Sequence, residues 1–185
     1  MAITFDTEAL GRLKAAMGEM KGHQKRGILS RSMNRAGRVG YTRVRSNLAK
    51  EVGLRVGDVQ KYGALRKKFA SPADLRFEIQ STGRFLPLKL FNAKQNSKGV
   101  SHRAWGRRQT AKSAFTVDKF GGHVYARTSK NRFPIKKLFG PSIPNEMVKG
   151  ESQEVFVREV APRVVKNLNH EFDRYTKRVK SKYGL

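Results

Sequence analysis

The sequence predicts an α+β fold, a small antiparallel sheet packed by N-terminal helices and a long C-terminal helix, and three observations carry that prediction. Apolar residues recur at three- and four-residue steps near both ends, they alternate with polar residues in the middle, and 185 residues suit one domain of ordinary size. The expected order within this single domain, residues 1–185, is a helical part over 1–65, strands and a basic loop over 72–140, and a last helix over 145–183.

Thr7 is placed to cap a first helix, with Glu8 in its first turn, Leu10, Leu13, Met17 and Met20 along one face and Gly22 at its end. A second helix runs from about Gln24 to Lys50, where Leu29, Met33, Ala36, Gly40, Val44 and Leu48 fall within an arc of roughly 120° and are expected inside. Arg31, Arg35, Arg38 and Arg45 fall on the opposite side and form a basic ridge. Gly37 and Gly40 lower this helix's intrinsic stability and point to close packing there. After Gly53 a short helix, Val56 to Tyr62, leads into Arg66-Lys67-Lys68.

The period then changes. Leu75, Phe77 and Ile79 alternate with Arg76, Glu78 and Gln80 as a half-buried strand, Phe85 to Phe91 continues extended, and a hairpin through Thr82-Gly83 is expected. From Asn92 to Lys112 the chain turns polar and basic, with Gly99 and Gly106 around the single Trp105. This reads as a long, mobile loop that orders on meeting a partner. Strands follow at Ala114 to Val117 and Val124 to Thr128, and the prolines from Pro134 to Pro144 read as a packed, rigid connector. The last helix carries the stripe Val160, Val164, Leu168, Phe172, Tyr175 and Val179. Its acid-first pairs are Glu154 with Arg158, Glu159 with Arg163 and Asp173 with Lys177, and Pro162 marks a kink or the start.

Charge narrows the function classes. Forty Lys and Arg against fourteen Asp and Glu leave +26 at neutral pH, and the pI of 11.1 keeps that excess at any physiological pH. Apolar residues at 38% allow a core, yet a mean hydropathy of −0.62 with this charge sets the chain near the border where self-repulsion resists compaction. An anionic partner or an assembly is therefore expected. Without cysteine there is no disulfide, thiolate metal site or Cys nucleophile, which fits a reducing compartment. The N-terminus turns acidic at Asp6 before any apolar signal core forms, and no run reaches the ~18 apolar residues of a membrane span, so neither a standard secretion signal nor a membrane is expected.

Catalytic constellations are scarce. Asp74 with Glu78-Ile79-Gln80 is the nearest to a two-carboxylate Mg²⁺ nuclease site, but the spacing is short and a glutamine stands where a lysine is usual. His23, His102, His123 and His170 lack metal-ligand spacing, and neither a nucleophile elbow nor a phosphate-binding glycine loop is present. Ala49, Gly53 and Val59 have the spacing of a helix-turn-helix corner, with Arg55, Gln60 and Lys61 free to face a major groove. The same spacing also suits a plain corner without DNA contacts. Lys and Arg interleaved with aromatic residues fit phosphate-backbone binding and docking on an acidic protein ring equally. The candidate partner- or DNA-binding residues are Arg31, Arg35, Arg38 and Arg45 on the ridge and Arg103, Arg107, Arg108 and Lys112 in the loop. No catalytic residue, metal ligand or cofactor is assigned.

Several phrases taken together resemble the phage minor tail protein Z family, the tail-completion proteins of lambda-type long-tailed phages. They are Glu51-Val52-Gly53-Leu54, Gly83-Arg84 with Pro87-Leu88, Phe91 with Ala93, Lys98-Gly99-Val100, Ala104-Trp105-Gly106, Ala114-Phe115, and Val124-Tyr125 with Arg127. The most distinctive is Arg132-Phe133-Pro134-Ile135, leading through Leu138 to Gly140-Pro141-Ser142 and Pro144. The resemblance covers roughly residues 25 to 165. It implies a non-enzymatic virion protein, made in the host cytoplasm, that finishes the head-proximal end of the tail so that head and tail join and DNA passes. Its implied partners are further copies of itself in a ring, the tail terminator and other tail or neck proteins, and the phage DNA end. The family offers no catalytic or ligand residues to carry over. The alternatives are a helix-turn-helix DNA-binding protein and, third, a basic phage nuclease.

Overall fold

A computed structural model describes residues 22–183, excluding the side chains of residues 179, 180, 182 and 183, and the fold is α+β. The helix expected over Thr7 to Met20 lies outside the described residues. Among the described residues two long helices, α1 (Gly22–Val52) and α4 (Ser152–Tyr183), bracket the short helices α2 (Val56–Gly63) and α3 (Ile143–Lys149) and ten short strands, the first two being β1 (Arg66–Lys68) and β2 (Glu78–Gln80). The chain gathers into two compact units. One holds residues 22–40, 67–78 and 158–183 of the described chain, the other residues 41–66 and 79–157.

The first unit is a helix pair with a short flap. Ile28 and Leu168 are its buried centre, packed about by Leu29, Val164, Phe172 and Tyr175, so four members of the stripe expected on the last helix, Val164, Leu168, Phe172 and Tyr175, are used here. Asn167 donates to the Ser32 carbonyl at 3.3 Å and the Tyr175 hydroxyl to Gln24 at 3.1 Å. On another side of α1 the Asn34 side chain exchanges two hydrogen bonds with the Ala70 backbone, at 2.8 and 2.7 Å, and Gly37 lies under the Phe77 ring. Packing on two sides corrects the expected single arc. Leu29 and Met33 are only half-buried, whereas Ile28 and Ser32 are inside. Pro162 lies within α4 and does not start it. Of the three acid-first pairs, Glu159–Arg163 closes, at 2.7 Å.

The second unit contains the main core. Tyr41, Val44, Leu48, Ala49 and Val52 of α1 meet Val59 of α2 and Ile143 of α3, and the sheets add Leu86, Val100, Ala114 and Val124. Strand β3 (Phe85–Pro87) pairs antiparallel with β10 (Phe139–Ser142). This overturns the hairpin expected through Thr82-Gly83, because Gly83 packs its backbone against the carbonyl of Tyr62. Strands β4 (Lys94–Asn96), β5 (Gly99–His102) and β6 (Gln109–Lys112) form an antiparallel meander where a long loop was expected. β5 reaches the core through Val100, β6 touches it only through the half-buried Ala111 and β4 is exposed throughout, so backbone pairing and not apolar alternation builds these strands.

A second meander joins β7 (Ala114–Val117), β8 (His123–Arg127) and β9 (Ile135–Lys137), close to the expected positions of the first two. The proline segment is not merely a connector, for it supplies β9, β10 and the start of α3, whose first turn accommodates Pro144. Gly140 is required where it stands, because a Cβ would lie 2.6 Å from the fully buried Phe91 ring. Leu138, half-buried on the core, donates its N–H to Val124 at 2.8 Å and accepts from Leu88 at 3.1 Å.

At the junction before α4, the Glu51 carboxylate accepts from the Asn47 side chain at 2.8 Å, the Glu151 N–H at 3.0 Å and the Ser152 hydroxyl at 3.3 Å. A carboxylate at a helix N-terminus satisfies orphan donors and favours the dipole. We expect Glu51→Ala to cost about 1–3 kcal/mol. Leu138→Asp, which sets a charge on the core, should cost several kcal/mol. Thermal melts of each variant check both, and an unchanged melting temperature for Leu138→Asp would show that site to be solvated.

Candidate functional site

The site is built on the corner between α1 and α2. Ala49 accepts from the N–H groups of both Gly53 and Leu54 at 3.0 Å, and Gly53 ends α1 at φ +83°, a conformation that favours glycine. Arg55 turns extended before α2, gives its side chain to no cap, and accepts the Val59 N–H at 3.1 Å. Val59 and Ala49 are buried, so the spacing read from the sequence does close a helix-turn-helix corner.

The turn 103–106 lies against this corner. The Arg103 N–H donates to the Phe91 carbonyl at 2.8 Å. A Cβ at Gly53 would run into the Arg103 carbonyl oxygen and lie 2.7 Å from the Gly106 nitrogen. One at Gly106 would lie 2.7 Å from the Lys50 carbonyl. Backbone therefore meets backbone, and three stretches distant in sequence share one open groove of about 560 Å³. Lys50, Arg55 and Arg103 line it with Ser46, Leu54, Val56 and Asn92, and among the described residues no acid does.

Arg103, Arg107, Arg108 and Lys112 are all exposed, the first in the groove wall, the next two just past Gly106 and the last at the end of β6. Lys50 and Asn92 escaped the sequence reading. Their signal is conformational, since Asn92 and Gly106 have positive φ like Gly53, and a sequence does not display it. Trp105, also at positive φ and 40% exposed, donates its indole N–H to Glu146 at 3.3 Å.

The expected ridge is not one free row of cations. Arg31 donates to Glu171 at 2.8 Å, the Arg38 guanidinium sits 5.1 Å from the Phe69 ring centre, and Arg35 is exposed, all in the first unit. In the second unit Arg45 donates to Gln60 at 2.6 Å and lies over Tyr41. A smaller cavity of about 320 Å³ in the first unit gathers Arg31, Arg174, Tyr175 and Arg178 around Glu171, whose carboxylate offsets their charge.

The carboxylates Asp74 and Glu78 face Lys68, at 3.3 and 3.9 Å, and Arg76, at 3.9 and 3.6 Å. Among the described residues no group of His, Asp and Glu is placed to hold a metal ion. Nor is any described helix long and apolar enough to cross a membrane.

Two histidines flank the basic sheets. Burial lowers the His102 pKa, and its Nδ1 accepts the Ala104 N–H at 3.4 Å. His123 is lowered by burial first and then by the charges of Lys137 and Lys89. Lys137 donates to its Nε2 at 3.0 Å, which places the ring proton on Nδ1. A folded state that holds imidazoles neutral binds fewer protons than the unfolded chain, so their contribution to stability is present above about pH 6.5 and is lost as pH falls through the lowered folded values. The urea midpoint should therefore drop on going below about pH 6.5. His102→Asn, which keeps an acceptor near Ala104, should flatten that drop, and a pH dependence identical to the unaltered protein would contradict it.

No family model, no curated protein and no solved structure matches this chain.

Proposed function

We propose that this protein is a structural subunit of a long-tailed phage particle, completing the head-proximal end of the tail as one of several identical copies, with its positive surface turned to DNA or to acidic neighbours. The observation that carries the reading is the segment from Arg84 to Lys137. It has fourteen Lys and Arg against one acid, Asp118, and displays every one of those cations except the half-buried Lys137 on short strands and turns. Such a surface cannot be neutralised from within its own segment, and an anionic partner relieves it. The resemblance of Pro134 to Pro144 to the tail-completion proteins supports the virion setting. That phrase forms β9, β10 and the start of α3, the frame that presents the basic sheets.

Sequence-specific DNA binding by the corner is the second reading, favoured by the burial of Ala49 and Val59 about Gly53. It is opposed by the engagement of Gln60 with Arg45.

The test is a quadruple Arg103→Gln, Arg107→Gln, Arg108→Gln, Lys112→Gln variant supplied to a phage deprived of the natural chain. All four side chains are exposed, so folding should persist with a change of less than about 1 kcal/mol, while the yield of infectious particles should fall at least about tenfold. Electron microscopy should place the natural chain at the head-proximal end of the tail. Normal yield from the variant, or particles without the protein at that position, would overturn the proposal.

A further inference from the structure

We infer that the groove at the α1–α2 corner seats the phosphodiester backbone of duplex DNA, with Lys50, Arg55 and Arg103 as its cations, and that the corner holds DNA without reading its sequence. The inference rests on the reading above that the positive surface meets an anionic partner, and it takes the DNA branch of that reading and gives it an address.

Three observations lead to it. The cations come from the end of α1, the link to α2 and the turn after β5, yet they line one groove, and among the described residues no carboxylate lines it with them. Converging cations without a counter-charge repel one another and gain most from an anion placed between them. The groove's volume of about 560 Å³ admits a phosphate together with its flanking sugars. The start of α2 lies on the same wall. Arg55 makes no side-chain cap there, the space beside Gly57 is open, and Asp58, the acid of the first turn, is not part of the groove lining, so backbone donors add to the three cations.

The same lining favours DNA over an acidic protein. A protein interface needs a buried apolar or aromatic anchor, and this groove offers no aromatic residue and only the small or aliphatic Ala49, Leu54 and Val56, while Trp105 in the adjoining turn is held by Glu146. It also argues against base readout. Gln60, the α2 side chain best suited to read adenine, gives its oxygen to Arg45 at 2.6 Å. Backbone contact without base contact fixes position and carries no sequence information.

The test measures binding of the full chain to two unrelated duplexes of equal length between about 50 and 200 mM salt. The variant Lys50→Gln, Arg55→Gln, Arg103→Gln should lower the slope of log K against log salt by about 2.7, three contacts at about 0.9 each, and by the same amount on both duplexes. A control with Lys149→Gln, Arg158→Gln and Lys166→Gln removes three exposed cations outside the basic segment 84–137 and should lower the slope by less than about 1. The single Arg55→Gln variant, with an expected loss of about 0.9, keeps the test sharp should the triple variant fail to fold.

Equal losses in variant and control would overturn the inference in favour of a diffuse field. A preference between the duplexes that Gln60→Ala abolishes would overturn it in favour of base readout. Tighter capture of polyglutamate than of DNA, weakened by the groove variant, would overturn it in favour of an acidic protein. The two readings fail separately. Loss of slope with normal particle yield sinks the virion role alone, and lost infectivity with an unchanged slope sinks the groove alone.

Discussion

Unbalanced positive charge constrains everything else in this molecule, because forty cations must be arranged around a modest core with only fourteen acids to oppose them. Apart from Glu159, paired with Arg163 along α4, the acids seen to engage sit at mechanical joints. Glu51 gathers the N-terminus of α4, Glu146 holds Trp105, Glu171 takes Arg31, and Asp74 with Glu78 faces Lys68 and Arg76. Acids committed to joints leave the sheet region without internal neutralisation, and its cations are spread over turns and strand edges. With a screening length of about 10 Å at 0.1 M salt, neighbouring cations still feel one another, so the fold carries a repulsion that a bound anion would relieve.

The corner turns that repulsion into a shaped site. Ordinary side chains between α1 and the turn 103–106 would hold the two apart, but Gly53 and Gly106 bring backbone onto backbone. Lys50 and Arg55 are thereby drawn to Arg103, some fifty residues away in sequence, in one groove. Elsewhere cations are quieted by rings, as where Arg127 lies 4.9 Å from the Phe115 ring centre and Lys137 lies 5.5 Å from that of Phe139. Those contacts spend charge locally. The groove cations, lined up with no acid among the described residues, are left for an outside anion.

The residues announced the helices far better than the meander. Periodic stripes located α1 and α4, α2 was placed after Gly53, and β7 and β8 lie close to their expected positions. The β4–β5–β6 meander was illegible because β4 and β6 bury almost nothing, so no apolar period marks them. The pairing of β3 with β10 joins segments about fifty residues apart, and local propensity favoured the nearer hairpin. The groove was half legible. Arg103 stood out by composition and Arg55 by the corner motif, but nothing in the sequence joined them, since their meeting depends on positive φ at Gly53 and Gly106.

Amide hydrogen exchange of the full chain at low salt, with and without duplex DNA, addresses the central claim most directly. If the corner is where the excess charge meets its partner, protection on adding DNA should concentrate in residues 50–57 and 103–108. Protection spread evenly over the basic surface, or confined to segments away from the corner, would contradict the account.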